Sequence, residues 1–382
     1  MNAMLLSPAH RFWLLLVLCL LGFGLLCAAV RDAGRGARRR ALQKRIAALG
    51  APAIGADEAA IDALEEGMAQ AQQALRRAPR ARPAVPWFLC FGNITADLAG
   101  LFATAHGERV PAHEPGQASG GGSAPFGGAW WHFWLTGAMV AIEIHPGAVG
   151  DAAVTPPLRG LWLQSLLALA ERRDRLPLNG LVVGVAADDL LHADATELKS
   201  LAARTRRLLD ETSDTLRLQL PTYLVVTGLQ RLTGYAALRG ALPPEVLAQA
   251  LGHRLTDASA FIETPASERL DAVFDPIAQQ LHALRMALLR EQTGAAGQLA
   301  IHEFVEAVRA LQPGLRQFAQ VLFEHHGKGS RAPRWRGLYF TAAATPALGG
   351  AFVSDLFERF LPADQPLVRP GRPSSNTATG AP

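Results

Sequence analysis

Four short runs of apolar residues place the strongest constraint on how this chain of 382 residues can fold. The runs are WFLCF (87–91), MVAIEI (139–144), LNGLVVGVAADDLL (178–191) and LPTYLVVTG (220–228). Segments with helical character lie between them, and continuous apolar strands separated by helices are typical of a parallel sheet covered on both faces. The sequence therefore predicts an α/β fold with a doubly wound, mainly parallel sheet.

Shifts in composition predict six segments along the chain. We expect a transmembrane helix at 12–30, a helical stalk and linker at 41–84, an α/β domain at 85–240, a helical subdomain at 241–330, a terminal strand and helix at 331–362 and a disordered tail at 363–382. The terminal strand and helix are expected to pack back on the α/β domain.

The N-terminal run FWLLLVLCLLGFGLLCAAV (12–30) contains no charged residue. As a helix that rises about 1.5 Å per residue, it would reach across a hydrocarbon core of about 30 Å. The alternative is a cleaved signal peptide. A transmembrane anchor is favoured because the leader's only charged residue is Arg11 and no suitable cleavage site follows the run.

Basic residues crowd the stretch from Arg31 to Arg45, directly after this run. The positive-inside rule keeps such a cluster in the cytoplasm, so the main domain is expected there and the N-terminus on the opposite side. The cluster also accounts for much of the net charge of +4. We therefore expect some attraction to anionic lipid and no nucleic-acid partner.

Cysteine and histidine residues form no complete catalytic or metal site in the sequence. Cys19, Cys27 and Cys90 lie in apolar runs as small hydrophobic residues and give no disulfide or metal framework. HEFVE begins like a zinc-protease helix at His302, but Glu306 stands where the second histidine would be. We expect no catalytic residue and no metal ligand.

Four longer motifs follow one another along the chain: LNGLVVGVAADDLL (178–191), LPTYLVVTGLQRLTGYAAL (220–238), RGLYFTAAAT (336–345) and VSDLFERFLP (353–362). Together they resemble the landmarks of the cytoplasmic region of the IcmF/TssM family, whose members form the large inner-membrane subunit of type VI secretion systems. The resemblance covers roughly residues 85–362. It implies a P-loop GTPase-like domain with a helical extension.

The resemblance also sets expectations for the membrane architecture. Family members carry two N-terminal membrane helices, and a third leads to a large periplasmic part. This sequence predicts one N-terminal span, and we expect the periplasmic part to be absent. The chain is thus expected in the bacterial inner membrane as a single-pass protein with a periplasmic N-terminus and a cytoplasmic main domain.

The segment VPWFLCFGNITADLAGLF (85–102) has the outline of a phosphate-binding loop. A loop of the form G-x-x-x-x-G-K-[ST] needs glycines for backbone contact with phosphate, a lysine for the phosphate oxygens and a hydroxyl for the metal. Aligned on Gly92, this chain has Asp97 at the second glycine, Leu98 at the lysine and Ala99 at the hydroxyl. The sequence predicts a degenerate loop that binds no nucleotide cofactor.

The other nucleotide motifs that the resemblance implies are degenerate as well. Glu143 stands where the family has a metal-holding aspartate, and Pro146, which has no N–H, aligns with the glycine that senses the γ-phosphate. After the fourth apolar run, the family motif is Thr-Lys-x-Asp, whose aspartate reads guanine. This chain has Thr227 at the first position of the motif and Gln230 at the last, so the aspartate is missing. These changes predict a pseudo-NTPase.

Two charged groups are interpreted as structural. Asp188 and Asp189 match an aspartate pair of the family, and we expect them to begin a helix. Arg204, Arg206 and Arg207 form a basic face on the next predicted helix, which we interpret as solvated.

Together these features favour a scaffold or assembly factor of a type VI secretion system. The resemblance implies TssL, full-length TssM and baseplate components as partners at the inner membrane. Two alternatives remain open. One is a residual NTPase switch that uses Glu143, and the other is a regulator that competes with full-length TssM for its partners.

Overall fold

The computed structural model describes residues 12–25, 40, 43, 56–77, 85–111, 130–149, 156–173, 176–255, 264–292, 294–324, 333–365 and 368–370. Of the predicted tail, residues 366–367 and 371–382 lie outside the described residues.

One eight-stranded sheet forms the centre of the described structure, with the strand order β2-β3-β4-β1-β5-β7-β9-β8. Its strands are β1 Trp87–Phe91, β2 Glu108–Arg109, β3 Trp131–Leu135, β4 Val140–Ile144, β5 Gly180–Ala186, β7 Pro221–Thr227, β8 Leu251–Arg254 and β9 Arg334–Phe340. β6 Leu218–Gln219 and β10 Arg369–Pro370 pair separately. β4, β1, β5, β7 and β9 run parallel to one another, and antiparallel strands flank them on both sides. This arrangement confirms the predicted α/β class and the mainly parallel sheet.

Helices connect and cover these strands. They are α1 Ala56–Arg77, α2 Leu98–Thr104, α3 Pro156–Arg172, α4 Ala187–His192, α5 Ala195–Leu216, α6 Tyr235–Ala241, α7 Pro244–Ala248, α8 Ala266–Glu291, α9 Ala295–Ala310 and α10 Gln312–Phe323. A C-terminal helix follows at residues 354–363, with a π-helical turn at Leu356–Phe360 and a last turn at Leu361–Ala363.

The two faces of the sheet belong to two separate core clusters. In β1, Trp87, Leu89 and Phe91 point to one face, while Phe88 and Cys90 point to the other, as the two-residue period of a strand requires. The first face is covered by α1, α3, α5 and α8 to α10. The second face is covered by α2 and the C-terminal helix alone among the described elements. Within the described residues, the second layer is therefore much the thinner one.

Helix α1 lies within the segment predicted as a stalk and linker, yet it packs on the sheet. Ala60, Leu64, Met68 and Ala71 are buried, and their spacing of three and four residues places them on one side of the helix. Gly67 allows close contact, since a Cβ there would lie 2.9 Å from the Phe133 ring of β3. This helix is part of the first layer.

The segment 241–330 supplies the edge strand β8 as well as α8 to α10, and two arginines fix its last helix. Arg206 of α5 donates to the carbonyls of Leu322 and Glu324 at 2.9 and 3.0 Å, and Arg269 donates to that of Phe323 at 2.7 Å. These bonds satisfy carbonyls that the end of a helix leaves without intrahelical partners. The prediction of a solvated basic face is wrong for Arg206, which is 6% exposed.

The N-terminal apolar run is described in part. Residues 12–25 form a helix, and residues 26–30 of the predicted span lie outside the described residues. Within the described part of the chain, no helix has the length and hydropathy needed to cross a membrane.

A buried carboxylate joins the C-terminal helix to the sheet. Asp364 accepts hydrogen bonds from the Tyr223 hydroxyl at 2.6 Å and from Arg336 Nε at 2.9 Å, and Arg254 Nη1 lies 3.3 Å away. Arg254 also donates to the Phe360 carbonyl at 2.7 Å and covers the Phe360 ring. Strands β7, β8 and β9 are thereby attached to the end of the chain's last described helix.

We predict that Asp364→Asn lowers the free energy of unfolding by about 3–5 kcal/mol, because it leaves two arginines largely buried without their counter-charge. Urea denaturation measures this change. Asp271→Asn is the matched control, since Asp271 pairs with Arg316 at the surface and such pairs contribute about 0–1 kcal/mol. Tyr223→Phe, which removes one bond to Asp364, is expected to cost about 1–3 kcal/mol. Equal losses in the two aspartate variants would contradict the anchoring role of Asp364.

Candidate functional site

The carboxyl ends of the parallel strands form the edge at which this fold can build a site. β1 lies between β4 and β5, and the chain continues from β1 to β4 on one side and then crosses to β5 on the other. Such a reversal of direction opens a crevice outside the carboxyl ends of the strands, where open α/β sheets bind their ligands. The loops after β1, β4, β5 and β7 therefore border the candidate site.

The loop after β1 forms a compact turn that runs directly into α2. Residues Ile94–Ala96 make a 3-10 turn, and Asp97 then adopts a left-handed backbone conformation with φ of 43°. The Asp97 carboxylate accepts a hydrogen bond from the Gly100 N–H at 3.1 Å and so caps the helix. The helix N-terminus, where a phosphate would need free N–H groups, already holds a carboxylate of this chain.

Leu98, at the position of the phosphate-binding lysine, is buried in the core. A Cβ added at Gly92 would lie 3.0 Å from its Cδ1 atom, and one added at Gly184 would lie 2.7 Å from its Cδ2 atom. Ala99 is half-buried and packs against the same core cluster. A leucine side chain thus fills the space between β1 and β5 behind the loop, and Gly92 provides room for that packing.

Asp189 ties the loop after β1 to the loop after β5. Its Oδ2 atom accepts hydrogen bonds from Asn93 Nδ2 at 2.8 Å and from Thr95 Oγ1 at 2.5 Å. Asp188 and Asp189 both lie in the first turn of α4. The contact between the two loops escapes sequence reasoning because the bonded residues are 96 and 94 positions apart.

Gln230 and Arg231 tie the loop after β7 to two further loops. Gln230 Oε1 accepts from the Ala343 N–H at 3.1 Å, in the loop after β9, and Arg231 Nη2 donates to the Thr95 carbonyl at 3.1 Å. Thr227 is buried at the end of β7. Where the family resemblance implies a base-reading acid, this chain has an amide that binds its own backbone.

Glu143 is buried in β4, where the Trp134 indole Nε1 donates to its Oε2 atom at 2.7 Å. Burial raises the pKa of Glu143, while the hydrogen bond from Trp134 and the charge of Arg109 act in the opposite direction. Asp97 raises the pKa of Glu143 further through its negative charge. Glu143 is thus a partly desolvated carboxyl bound to an indole.

The loop after β4 begins at His145 and Pro146. Burial lowers the pKa of His145, and the Nδ1 atom of its ring accepts from the Gly147 N–H at 3.2 Å. Pro146 begins the 3-10 turn Pro146–Ala148 and has no N–H to offer a ligand. The imidazole therefore presents its other nitrogen as an N–H donor when the ring is neutral.

The HEFVE residues contribute to a contact between helices. Arg285 of α8 donates from Nη1 to Glu306 Oε1 at 2.7 Å, and the same nitrogen lies 3.2 Å from His302 Nδ1. A guanidinium therefore occupies the place between the two side chains. Within the described parts of the chain, no group of three or more His, Cys, Asp or Glu side chains could hold a metal ion.

A cavity of about 520 Å³ opens beside the loop after β1. Its walls come from the loops after β1 and β4, from α4 and the turn after it, and from α5. Ile94, Pro146, Val149, Leu198 and Leu201 supply apolar surface, and Asn93, His145, Asp189, Glu197 and Arg204 supply polar groups. The volume is within the range of small-molecule sites and the position is that of the crevice described above. No sequence motif indicates this cavity, because its walls come from separate segments.

The fold and this edge together define an α/β protein with a mainly parallel sheet, in which the chain's own side chains close the loop after β1. A family model described as the IcmF-related N-terminal domain matches residues 159–348. The chain is related to the IcmF/TssM family.

A curated relative supports the same relationship. The type VI secretion system component TssM1 of Pseudomonas aeruginosa is 25% identical to this chain over 211 residues, which is 55% of this chain and 19% of that protein. The match therefore spans less than a fifth of the relative's length. No solved structure matches the chain.

We predict that Asp189→Ala lowers the free energy of unfolding by about 1–3 kcal/mol, because Asn93 and Thr95 lose their shared charged acceptor. Asp188→Ala is the matched control in the same helical turn. The Asp188 side chain is 62% exposed and lies 3.0 Å from His192 Nδ1, so its loss should cost no more than about 0.5 kcal/mol. Urea denaturation of both variants gives the comparison, and a larger loss for Asp188→Ala would refute the assigned role of Asp189.

Proposed function

We propose that this chain is a membrane-anchored, cytoplasm-facing scaffold or assembly factor of a type VI secretion system, and that it works without nucleotide. Its relationship to the IcmF/TssM family and the name of its P. aeruginosa relative support the link to such a system. The family resemblance supports TssL, full-length TssM and baseplate components as partners. In this role the protein is a pseudo-NTPase that holds partners together.

The observation that carries the proposal is the occupation of the phosphate position by the chain itself. Asp97 directs a carboxylate to the helix N-terminus, where it would repel a phosphate by about 4 kcal/mol at about 4 Å and an effective dielectric constant near 20. Leu98 is buried and carries no charge with which to balance this repulsion. Favourable phosphate binding would require both residues to leave their observed positions.

The bonds among the surrounding loops favour a fixed surface rather than a nucleotide switch. A GTPase-type switch depends on loops that become ordered by the γ-phosphate and its metal and are released on hydrolysis. Here Asp189 and Arg231 hold the loop after β1, and Gln230 holds the loop after β9, all through bonds within the chain. A scaffold benefits from such loops because its partners then meet one constant surface.

The membrane anchor in this proposal is supported by sequence. The uncharged run 12–30 is long enough to span a bilayer as a helix, and the basic cluster that follows it favours a cytoplasmic location for the rest of the chain. The proposed orientation places the N-terminus in the periplasm and the α/β part in the cytoplasm.

We predict that the full chain, purified in detergent, gives no binding heat in calorimetry with GTP or ATP plus magnesium. At about 1 mM nucleotide, the experiment would detect a complex with a binding free energy of about −4 kcal/mol. The reason is the carboxylate and the leucine in the phosphate position. Micromolar affinity, or hydrolysis that the variant Glu143→Gln abolishes, would overturn the pseudo-NTPase proposal and favour the residual NTPase instead.

We also predict that the tagged full chain, extracted from bacterial membranes in mild detergent, co-purifies with TssL, and that deletion of its gene reduces type VI secretion. An unrelated tagged single-span protein of similar abundance controls for non-specific recovery. Overexpression that blocks secretion would instead favour the competing-regulator alternative. The scaffold proposal fails if no secretion-system component is recovered and deletion leaves secretion unchanged.

A further inference from the structure

The cavity beside the filled phosphate position has an exposed apolar residue at its rim. Ile94 lies in the turn after β1 with 82% of its surface accessible, and it also lines the cavity. Val149, Leu198 and Leu201 continue the apolar surface into the cavity. A projecting apolar side chain beside an apolar hollow of about 520 Å³ is typical of a protein–protein contact surface, in which each partner inserts a side chain into the other.

Carboxylates outnumber cations around this hollow, where Arg231 donates to the Thr95 carbonyl beside Ile94 at 3.1 Å. Asp189 and Glu197 line it, and Asp188 and Asp194 are exposed near them, at the start of α4 and at the N-cap of α5. Arg204 is the only arginine or lysine among the lining residues that the structure describes, and it donates to the Val149 carbonyl at 2.9 Å and the Ser200 hydroxyl at 3.0 Å. The chain as a whole has a net charge of +4, so the acidic character is local.

We propose that Ile94 and this cavity form a docking surface for a segment of a protein partner that presents an apolar side chain flanked by lysine or arginine. The apolar side chain fills the hollow beside Ile94, and the flanking cations lie near Asp189 and Glu197. A buried apolar anchor with a charged rim is the usual arrangement of a specific protein contact. Charge complementarity then selects basic partners over acidic ones.

A protein segment fits these observations better than a small anionic ligand. The acidic side chains would repel an anion. The exposed surface of Ile94 extends outside the cavity, so a small ligand bound inside the cavity would leave Ile94 in contact with water. The inference rests on the proposed scaffold role, because it treats the edge at the carboxyl ends of the parallel strands as a surface for a protein partner.

The test uses the full chain in nanodiscs of zwitterionic lipid and three fluorescein-labelled hexapeptides, with empty nanodiscs as the blank. The peptides are KKFLKK, EEFLEE, which reverses the charge, and KKGSKK, which lacks the apolar residues. Fluorescence anisotropy measures their affinities. We expect KKFLKK to bind at least about tenfold more tightly than either of the others, because it alone satisfies both the hollow and the acidic rim.

Matched variants locate the contact. Ile94→Ser is expected to weaken KKFLKK binding about tenfold, while Leu299→Ser, which changes another exposed apolar residue, should alter it less than about twofold. Glu197→Gln should weaken binding about threefold, and Glu303→Gln, at an exposed glutamate on α9, should have little effect. Ala193→Phe should reduce binding by filling the cavity, provided that the variant keeps the melting temperature of the parent chain.

Equal binding of the three peptides, or equal losses for Ile94→Ser and Leu299→Ser, would overturn the docking proposal. Nucleotide binding in calorimetry would overturn the pseudo-NTPase proposal and would leave the peptide comparison unchanged. The two failures are therefore distinguishable.

Discussion

A parallel sheet has to be covered on both faces, because its central strands carry apolar side chains in both directions and leave no face for water. In the part of the chain that the structure describes, one face receives a thick layer of long helices, while the other is covered by the seven-residue helix α2 and the C-terminal helix. Each apolar residue of the thin layer therefore matters. Phe102 of α2 contacts Phe357 of the C-terminal helix, and Asp364 secures that helix to three strands.

The packing of the second face involves the loop after β1 and the start of α2. Leu98 lies in the first turn of α2, on the side that must cover β1 and β5, and it fills the space over Gly92 and Gly184. A lysine there would carry its charge toward the core unless it reached a phosphate. With leucine, the position contributes apolar burial. Asp97 caps the same helix with the chain's own carboxylate.

Local sequence patterns predict much of the fold, and contacts between distant segments account for what they miss. The strands β1, β4, β5 and β7 follow from continuous apolar runs, and the terminal strand and helix follow from their position in the motif order. The short edge strand β8 carries no such run, and it forms by pairing with β9. The sequence of its own helix predicts Arg206 as a surface charge. In the structure its guanidinium is buried and donates to carbonyls 116 and 118 positions away.

The candidate site, like the fold, has features that the sequence predicts and features that only the folded chain reveals. Sequence alone predicts a degenerate site at Asp97, Leu98, Ala99 and Gln230, because their side-chain types can be compared directly with those of the motif. What these residues do instead depends on the folded chain, as in the bond of Gln230 to the Ala343 backbone. The cavity beside Ile94 is visible only after the loops that follow β1 and β4, helix α4 with the turn after it, and α5 have been brought together.

The most direct measurement is hydrogen–deuterium exchange across residues 92–100 of the full chain, with and without GTP and magnesium. We expect protection in this stretch from the backbone N–H bonds that close the turn and cap α2. If the phosphate position is filled by the chain itself, the exchange rates of these amides will be the same with and without nucleotide. Slower exchange in this stretch on addition of nucleotide would show that the loop opens to bind phosphate and would contradict the account.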